Sequence, residues 1–443
     1  MPPHALSPRR LRYSSWLWTR RAVFWGGALS VGLIAIAFAK AATLATGLFD
    51  RVNGISPLLA LLATPAGLWL SLWLTRRFFP GASGSGIPQT IAALDISDPD
   101  SRRQVLSLRL AFGKVLLTLL GLCAGASVGR EGPTVQVGAA VMHDLGRLVR
   151  LSRKEIQRSL ILAGGAAGVA AAFNTPLAGV VFAIEELSRS FEAKTNGIVL
   201  TAVILAGITS LALMGNYHYF GHSSVGLTLE QAWRAVLACG VAGGLCGGLF
   251  SQGLVLAGRR GLPGRLGQFK QNQPERFAAL CGLALAVLGI VSHGATYGTG
   301  YEQAQSLLHG GSLVSWFALV KFMATVVSYL SGIPGGIFAP SLAIGAGLGA
   351  DIASVLTSTP AAAIILLGMV GYFSGVVQAP ITAVVIVLEM TDNSDMTLPL
   401  MATSVIAYAV SRMVCPEPFY KAMAHEFLDR MQARKEVAPA QKA

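Results

Sequence analysis

Ten long apolar segments dominate this chain, and several have a length that fits no simple helix. They fill roughly 22–50, 55–75, 105–142, 159–187, 196–214, 231–258, 277–296, 313–358, 361–390 and 396–414. One membrane-crossing helix needs about 20 apolar residues. The runs 105–142 and 313–358 exceed one span, do not make two full ones, and are interrupted by Gly and Pro. Irregular backbone inside a bilayer is tolerated only where protein buries it or where it lines a cavity. The pattern therefore predicts a polytopic, all-helical membrane protein with broken helices, and it excludes a large soluble enzyme or a disordered chain.

Composition agrees. Only 12% of the 443 residues are charged, against roughly 25% in soluble domains, and the mean hydropathy is +0.59. The net charge of +13 comes from 34 Lys+Arg against 21 Asp+Glu. Basic residues cluster between apolar runs, at Arg147–Arg158, Arg259–Arg276 and Lys421–Lys435. That placement marks cytoplasmic loops. No basic stripe is interleaved with aromatics, so nucleic acid is not expected as a partner. Arg9, Arg10, Arg12, Arg20 and Arg21 precede the first run without a small-residue cleavage pattern. This predicts a basic cytoplasmic segment over 1–21 and a retained first helix. The membrane domain spans 22–420, and 421–443 reads as a short cytoplasmic tail. Cys123, Cys239, Cys246, Cys281 and Cys415 form no CxxC. No disulfide framework, metal site or cofactor is expected.

The chain also repeats itself. Pro133 and Gly138, in GREGPTVQVG, match Pro340 and Gly345, in GIFAPSLAIG, both at a separation of 207 residues. PLAGVVFAIE from Pro176 matches PITAVVIVLE from Pro380 at a separation of 204. The two halves fall at roughly 22–215 and 231–414. Interrupted segments at matching positions of two halves point to a binding site near the bilayer midplane.

Three Gly/Pro motifs open apolar helices: Gly84-Ser85-Gly86-Ile87-Pro88, Gly129-Arg130-Glu131-Gly132-Pro133 and Gly336-Ile337-Phe338-Ala339-Pro340. Proline suits a first helical turn. The helix start carries unpaired N–H groups and about half a positive charge. Several such starts converging in a bilayer would hold an anion without a full cation, and so would let it leave. Packing of small residues is the alternative use for these glycines.

Glu131 is a carboxylate inside an apolar run, which costs roughly 2.5–3.5 kcal/mol or more. At a helix start its charge would be stabilised, and it would compete with an anion for the same place. A proton would end that competition. The alternative is a pair with Arg130, although sequence neighbours do not face each other on a helix. Glu185 and Glu186 end the run 176–187. An ordinary helix end entering water explains them without function. Glu389 matches Glu185 in the repeat, which points to a structural role for those two. Lys114 and Lys321 lie inside apolar runs, where each would pair with a carboxylate or snorkel outward. Gly125-Ala-Ser127-Val-Gly129 has the letters of a nucleophile elbow without the α/β setting that motif requires. No enzyme is expected.

These residues resemble the CLC family of chloride channels and proton-coupled chloride transporters. The likeness rests on GSGIP at 84–88, GREGP at 129–133 and GGIFAP at 335–340. It continues through Ala171–Gly179, Ile184-Glu185-Glu186 and Leu388–Asn393, and it runs from about residue 80 to Tyr420. The resemblance implies a dimer of all-α subunits. Each subunit would be built from two inverted repeats of tilted, broken helices with its own anion pathway. It implies chloride held by Ser85, Tyr420 and the backbone amides of Ile337 and Phe338, with Glu131 as external gate and Glu186 as internal proton-transfer group. A serine at 85 goes with chloride rather than nitrate, and a carboxylate at 186 goes with exchange rather than passive conduction. The expectation is a proton-coupled chloride antiporter of a bacterial inner membrane with cytoplasmic termini. A passive voltage- or pH-gated channel is the alternative.

Overall fold

A computed structural model describes residues 8–150, 154–188, 193–215, 219–222 and 225–440. Side chains of 8–20 are not described, so most of the N-terminal arginines lie outside the described residues, as do 151–153 of the first loop cluster.

The first half runs α1 (Pro8–Ile55), α2 (Ala60–Phe78), α3 (Ile87–Asp95), α4 (Pro99–Arg103), α5 (Leu108–Cys123), α6 (Glu131–Leu148), α7 (Lys154–Phe173), α8 (Pro176–Phe182) and α9 (Ala193–Met214). The second runs α10 (Leu229–Arg259), α11 (Gly264–Asn272), α12 (Pro274–Val291), α13 (Tyr301–Leu308), α14 (Phe317–Leu330), α15 (Phe338–Val355), α16 (Ala361–Val377), α17 (Pro380–Thr391), α18 (Thr397–Val414) and α19 (Phe419–Ala440). Eight segments among the described residues are long and apolar enough to span a bilayer. The overlong runs break as their Gly and Pro residues predict. Residues 105–142 split into α5 and α6, and 313–358 into α14 and α15. Both breaks end in a helix that starts inside the protein rather than at its surface.

Two expectations change at the ends of the chain. The basic N-terminal segment is no separate piece, because from Pro8 it is already the start of α1. Most of the C-terminal stretch read as a tail is helix α19, which packs against α3 and α10. The half-buried Phe427, Leu428 and Met431 lie against the core. They fall at i, i+1 and i+4, on one face of the helix, a stripe that the surrounding charges mask in the sequence.

The halves meet across a pseudo-two-fold axis. Gly129 and Gly336 exchange two backbone hydrogen bonds of 2.7 Å, one in each direction, in an antiparallel bridge. Glu185 accepts from the N–H groups of Ile381 (3.1 Å) and Thr382 (2.7 Å) at the start of α17. Glu389 accepts from Leu177 (3.0 Å) and Ala178 (2.7 Å) at the start of α8. Each half thus caps the other's helix with the same residue, as a carboxylate at a helix start should. These two glutamates are structural, as the repeat implied. Packing repeats as well. A methyl at Gly138 would strike the Gly164 carbonyl, and one at Gly345 would lie 2.6 Å from the Gly368 carbonyl. The pairs α6/α7 and α15/α16 therefore approach backbone to backbone, which only small residues permit. This is an all-α fold of two inverted repeats.

Candidate functional site

Three loops converge where α3, α6 and α15 begin. Gly84 accepts from the Gly335 N–H (3.1 Å) and donates to the Ile333 carbonyl (3.3 Å), which ties the GSGIP loop to the GGIFAP loop. The Gly129–Gly336 bridge ties GGIFAP to GREGP. Gly84 and Gly86 sit at φ +70° and +104°, a region that side chains rarely adopt. Gly132 has no room for a side chain, because a methyl there would run into the Ser85 hydroxyl and lie 3.4 Å from the Gly336 Cα. Pro88, Pro133 and Pro340 occupy the first turns of their helices. The N–H groups of Ile337 and Phe338 belong to the start of α15, where no intrahelical acceptor exists.

Ser85 and Tyr420 face this junction, both essentially buried. Their hydroxyls approach each other without hydrogen-bond geometry to any protein group. Tyr420 is placed by α19, where its ring lies 5.7 Å from Phe338. Phe338 also packs on Phe373 (4.9 Å), Phe182 (5.9 Å) and Phe173 (6.0 Å). That cage fixes the start of α15.

Glu131 is fully buried. Its carboxylate lies within reach of its own backbone N–H and that of Ala339, among the helix-start amides an anion would use. The Tyr301 hydroxyl donates to its Oε1 at 2.9 Å. The ion pair with Arg130 is present but long. Their nearest approach is 3.9 Å, while Arg130 donates to the Ala39 carbonyl at 2.7 Å and lies over the Tyr219 ring. Tyr420 is also in electrostatic contact with both Glu131 and Glu186.

Glu186 is buried, at 1% exposure, so the pair 185–186 is not a helix end entering water. The cause is local. α8 continues as a π-helical turn over Ala183–Ser188, a distortion common at functional sites. Glu185 leaves this turn to cap α17, and Glu186 faces the interior. Periodicity in a short apolar run carries no signal for such a turn.

Lys114 neither pairs with a carboxylate nor snorkels. Its Nζ donates to the carbonyls of Ala82 (2.8 Å) and Gly84 (2.5 Å). Lys321 donates in the same way to Thr296 (2.9 Å) and Gly298 (2.9 Å). Both ammonium groups thus sit behind loops, on carbonyl oxygens. Ser127 is taken up by Thr325 and Ser328, with no acid–base partner. The described residues hold no His/Cys/Asp/Glu cluster able to bind a metal.

From Ser85 and Pro88 a cavity of about 970 Å³ opens past Arg76, Arg77, Arg103, Arg109 and Arg430. Glu131 is also covered by Tyr301, whose ring packs at a tilt against Tyr219 (4.5 Å) and Phe220 (5.7 Å). Tyr301 was not singled out in the sequence. The available signal was Gly298-Thr-Gly300, which has the spacing of Gly84-Ser-Gly86.

Residues 67–412 match the family described as voltage gated chloride channel. The H(+)/Cl(-) exchange transporter ClcA of Vibrio cholerae serotype O1 is 30% identical over 395 residues, 84% of this chain and 80% of that one. ClcA of Vibrio parahaemolyticus is 29% identical, over 89% of this chain and 85% of that one. Among solved structures, a slow cyanobacterial Cl-/H+ antiporter superposes with a TM-score of 0.80 at 26% identity, covering 94% of this chain and 99% of that one. A CLC-type fluoride/proton antiporter gives 0.77 at 25% identity, covering 92% and 98%. With its three helix-start motifs joined at one buried point and a family match across most of its length, this chain belongs to the voltage-gated chloride channel, or CLC, family.

Proposed function

We propose that this chain is a proton-coupled chloride antiporter in which Glu131 is the gate. The observation that carries this reading is the place of the Glu131 carboxylate, among the helix-start amides. An ionised Glu131 reaches its own N–H and that of Ala339, beside the Ile337 and Phe338 N–H groups that chloride would use, and so closes the path next to the ion. Protonation removes the carboxylate's claim on its N–H donors and frees the path, so each opening of the gate consumes a proton. Chloride sits inward of the gate, between the Ser85 and Tyr420 hydroxyls and the backbone N–H groups of Ile337 and Phe338. Partial charges hold it in place of a cation, which keeps binding weak enough for release.

Coupling requires that the proton reach the other side of the membrane by a route of its own. Glu186 supports such a route. It is buried and in electrostatic contact with Tyr420, and it is the natural relay to the interior. The arginine-lined cavity below Ser85 admits chloride from that same side. By the positive-inside rule it is the cytoplasmic one, in a bacterial inner membrane with both termini in the cytoplasm. No covalent chemistry is called for, and the protein is not an enzyme.

Two copies assemble through α8, α17 and α18. There Leu177 and Ile381, equivalent in the repeat, are exposed beside Leu398, Met401 and Val405. Both halves contribute to this apolar face, as an isologous contact requires.

Purified protein in liposomes with a chloride gradient tests the function. Chloride should drive protons against their own gradient, seen as a change in external pH. Glu131→Gln should leave chloride flux uncoupled from protons, and Glu186→Gln should stop proton transport while chloride still moves. Chloride flux with no proton movement in the unmodified protein would establish a passive channel instead.

A further inference from the structure

The second half contains a copy of the Ser85 loop. Gly298-Thr299-Gly300 has the spacing of Gly84-Ser85-Gly86. Its glycines also lie in the left-handed region, at φ +66° and +87°. Each loop precedes a short helix, α3 or α13. Each is fastened through its carbonyls to a buried lysine of the following long helix, Lys114 or Lys321. Those lysines are 207 residues apart, the separation of Pro133 and Pro340. The first loop brings the Ser85 hydroxyl against Gly132, the residue after Glu131. The second brings the Tyr301 hydroxyl to the Glu131 carboxylate itself, at 2.9 Å. Tyr301 cannot swing freely. Its ring is held by Tyr219 and Phe220, and the Phe220 N–H is anchored on the Met390 carbonyl at 3.1 Å.

We propose that Tyr301 is the outer latch of the gate, a positioning residue whose phenol donates to Glu131 in the shut state and sets how acid the medium must become before the gate opens. The proposal rests on the reading of Glu131 as the gate. A phenol O–H stabilises a carboxylate more than it stabilises a neutral carboxyl group. Removing it makes protonation, and so opening, easier. The other charges near Glu131 stay as they are. Arg130, 3.9 Å from the carboxylate, is fixed on the Ala39 carbonyl. Lys321 lies under the Tyr301 loop against Gly300. Glu302 follows Tyr301 and faces Asp50 of α1. Glu186 lies beyond Tyr420, and Lys114 is tied to its own loop.

The test compares chloride efflux from liposomes over a pH series. Tyr301→Phe keeps the ring against Tyr219 and Phe220 and deletes one oxygen. The pH of half-maximal flux should rise by about one unit, a tenfold change in proton concentration, with proton coupling retained. In a Glu131→Gln background the same substitution should change nothing. A profile superimposable on that of the unmodified protein would overturn the latch, as would an equal shift in the Glu131→Gln background. If Glu131→Gln alone kept full proton coupling, the gate reading itself would fall.

Discussion

Gly132 is the contact on which the convergence of the three loops depends, and adding one methyl group there should damage chloride binding more than folding. The Cβ of Gly132→Ala would collide with the Ser85 hydroxyl, lie 2.9 Å from the Ser85 carbonyl oxygen and lie 3.4 Å from the Gly336 Cα. The hydroxyl can rotate away, but the other two atoms cannot yield alone. The Ser85 loop is held at Gly84 by the Gly335 N–H and Lys114. Gly336 is held by its two 2.7 Å bonds with Gly129. The loops must therefore separate together. Overpacking of this kind costs roughly 1–3 kcal/mol. Because the displaced groups are the proposed chloride donors, most of that cost should fall on the bound state, which weakens chloride by roughly 5- to 150-fold. Calorimetric titration of chloride into detergent-purified protein measures it. Gly47→Ala serves as control, since nothing lies within 4 Å of the added atom. Chloride affinity for Gly132→Ala within twofold of the unmodified protein would refute the shared-site geometry.

Three further outcomes follow from the contacts. Lys114→Met leaves the Ala82 and Gly84 carbonyls without their ammonium donor. At roughly 1–3 kcal/mol for a buried group left unsatisfied, it should lower both apparent Tm and chloride affinity in the same titration. Glu185→Gln and Glu389→Gln each weaken one reciprocal helix cap, at about 1 kcal/mol apiece. Thermal unfolding should place both variants below the unmodified protein and close to each other. Burial alone would raise the Glu417 carboxyl, but the hydrogen-bonded Arg259 guanidinium and His425 outweigh it and hold the group below the ordinary glutamate range. Its stabilisation is therefore complete above that range and is lost as pH falls through the depressed value. The Tm difference between unmodified protein and Glu417→Gln should shrink on acidification.

Much of this site could be read from local residue patterns. Proline at a first helical turn and glycine before it are signals with one physical meaning, so the three helix starts and the breaks at 124–130 and 331–337 were legible. The role of Glu185 was legible too, because its repeat partner Glu389 obeys the same capping rule. The π-turn at Ala183–Ser188 was not. It changes which way Glu186 points without changing the apolar pattern around it. The partners of the two lysines are hidden for a related reason. On sequence a buried ammonium calls for a carboxylate, whereas Lys114 and Lys321 are satisfied by carbonyl oxygens that only an irregular loop exposes. Tyr301 escaped because Gly298-Thr-Gly300 stands before a short helix with no proline after it.

The two buried lysines also explain how an anion path can do without a cation at its centre. In a trans peptide the C=O of one residue and the N–H of the next point in opposite directions. Fastening the Gly84 carbonyl to Lys114 therefore turns the Ser85 N–H away from the ammonium, and fastening the Gly298 carbonyl to Lys321 does the same for Thr299. The lysine charge then acts by orienting and polarising the loop rather than by touching the ion. A full cation in contact with chloride in a low-dielectric interior would bind it too strongly for turnover. A cation one peptide removed leaves only partial charges at the path. Repetition of this device in both halves brings one such loop against Gly132 and the other to the Glu131 carboxylate. The proposed gate, Glu131, would then be served by two hydroxyls, Ser85 on the side of the ion and Tyr301 on the carboxylate itself.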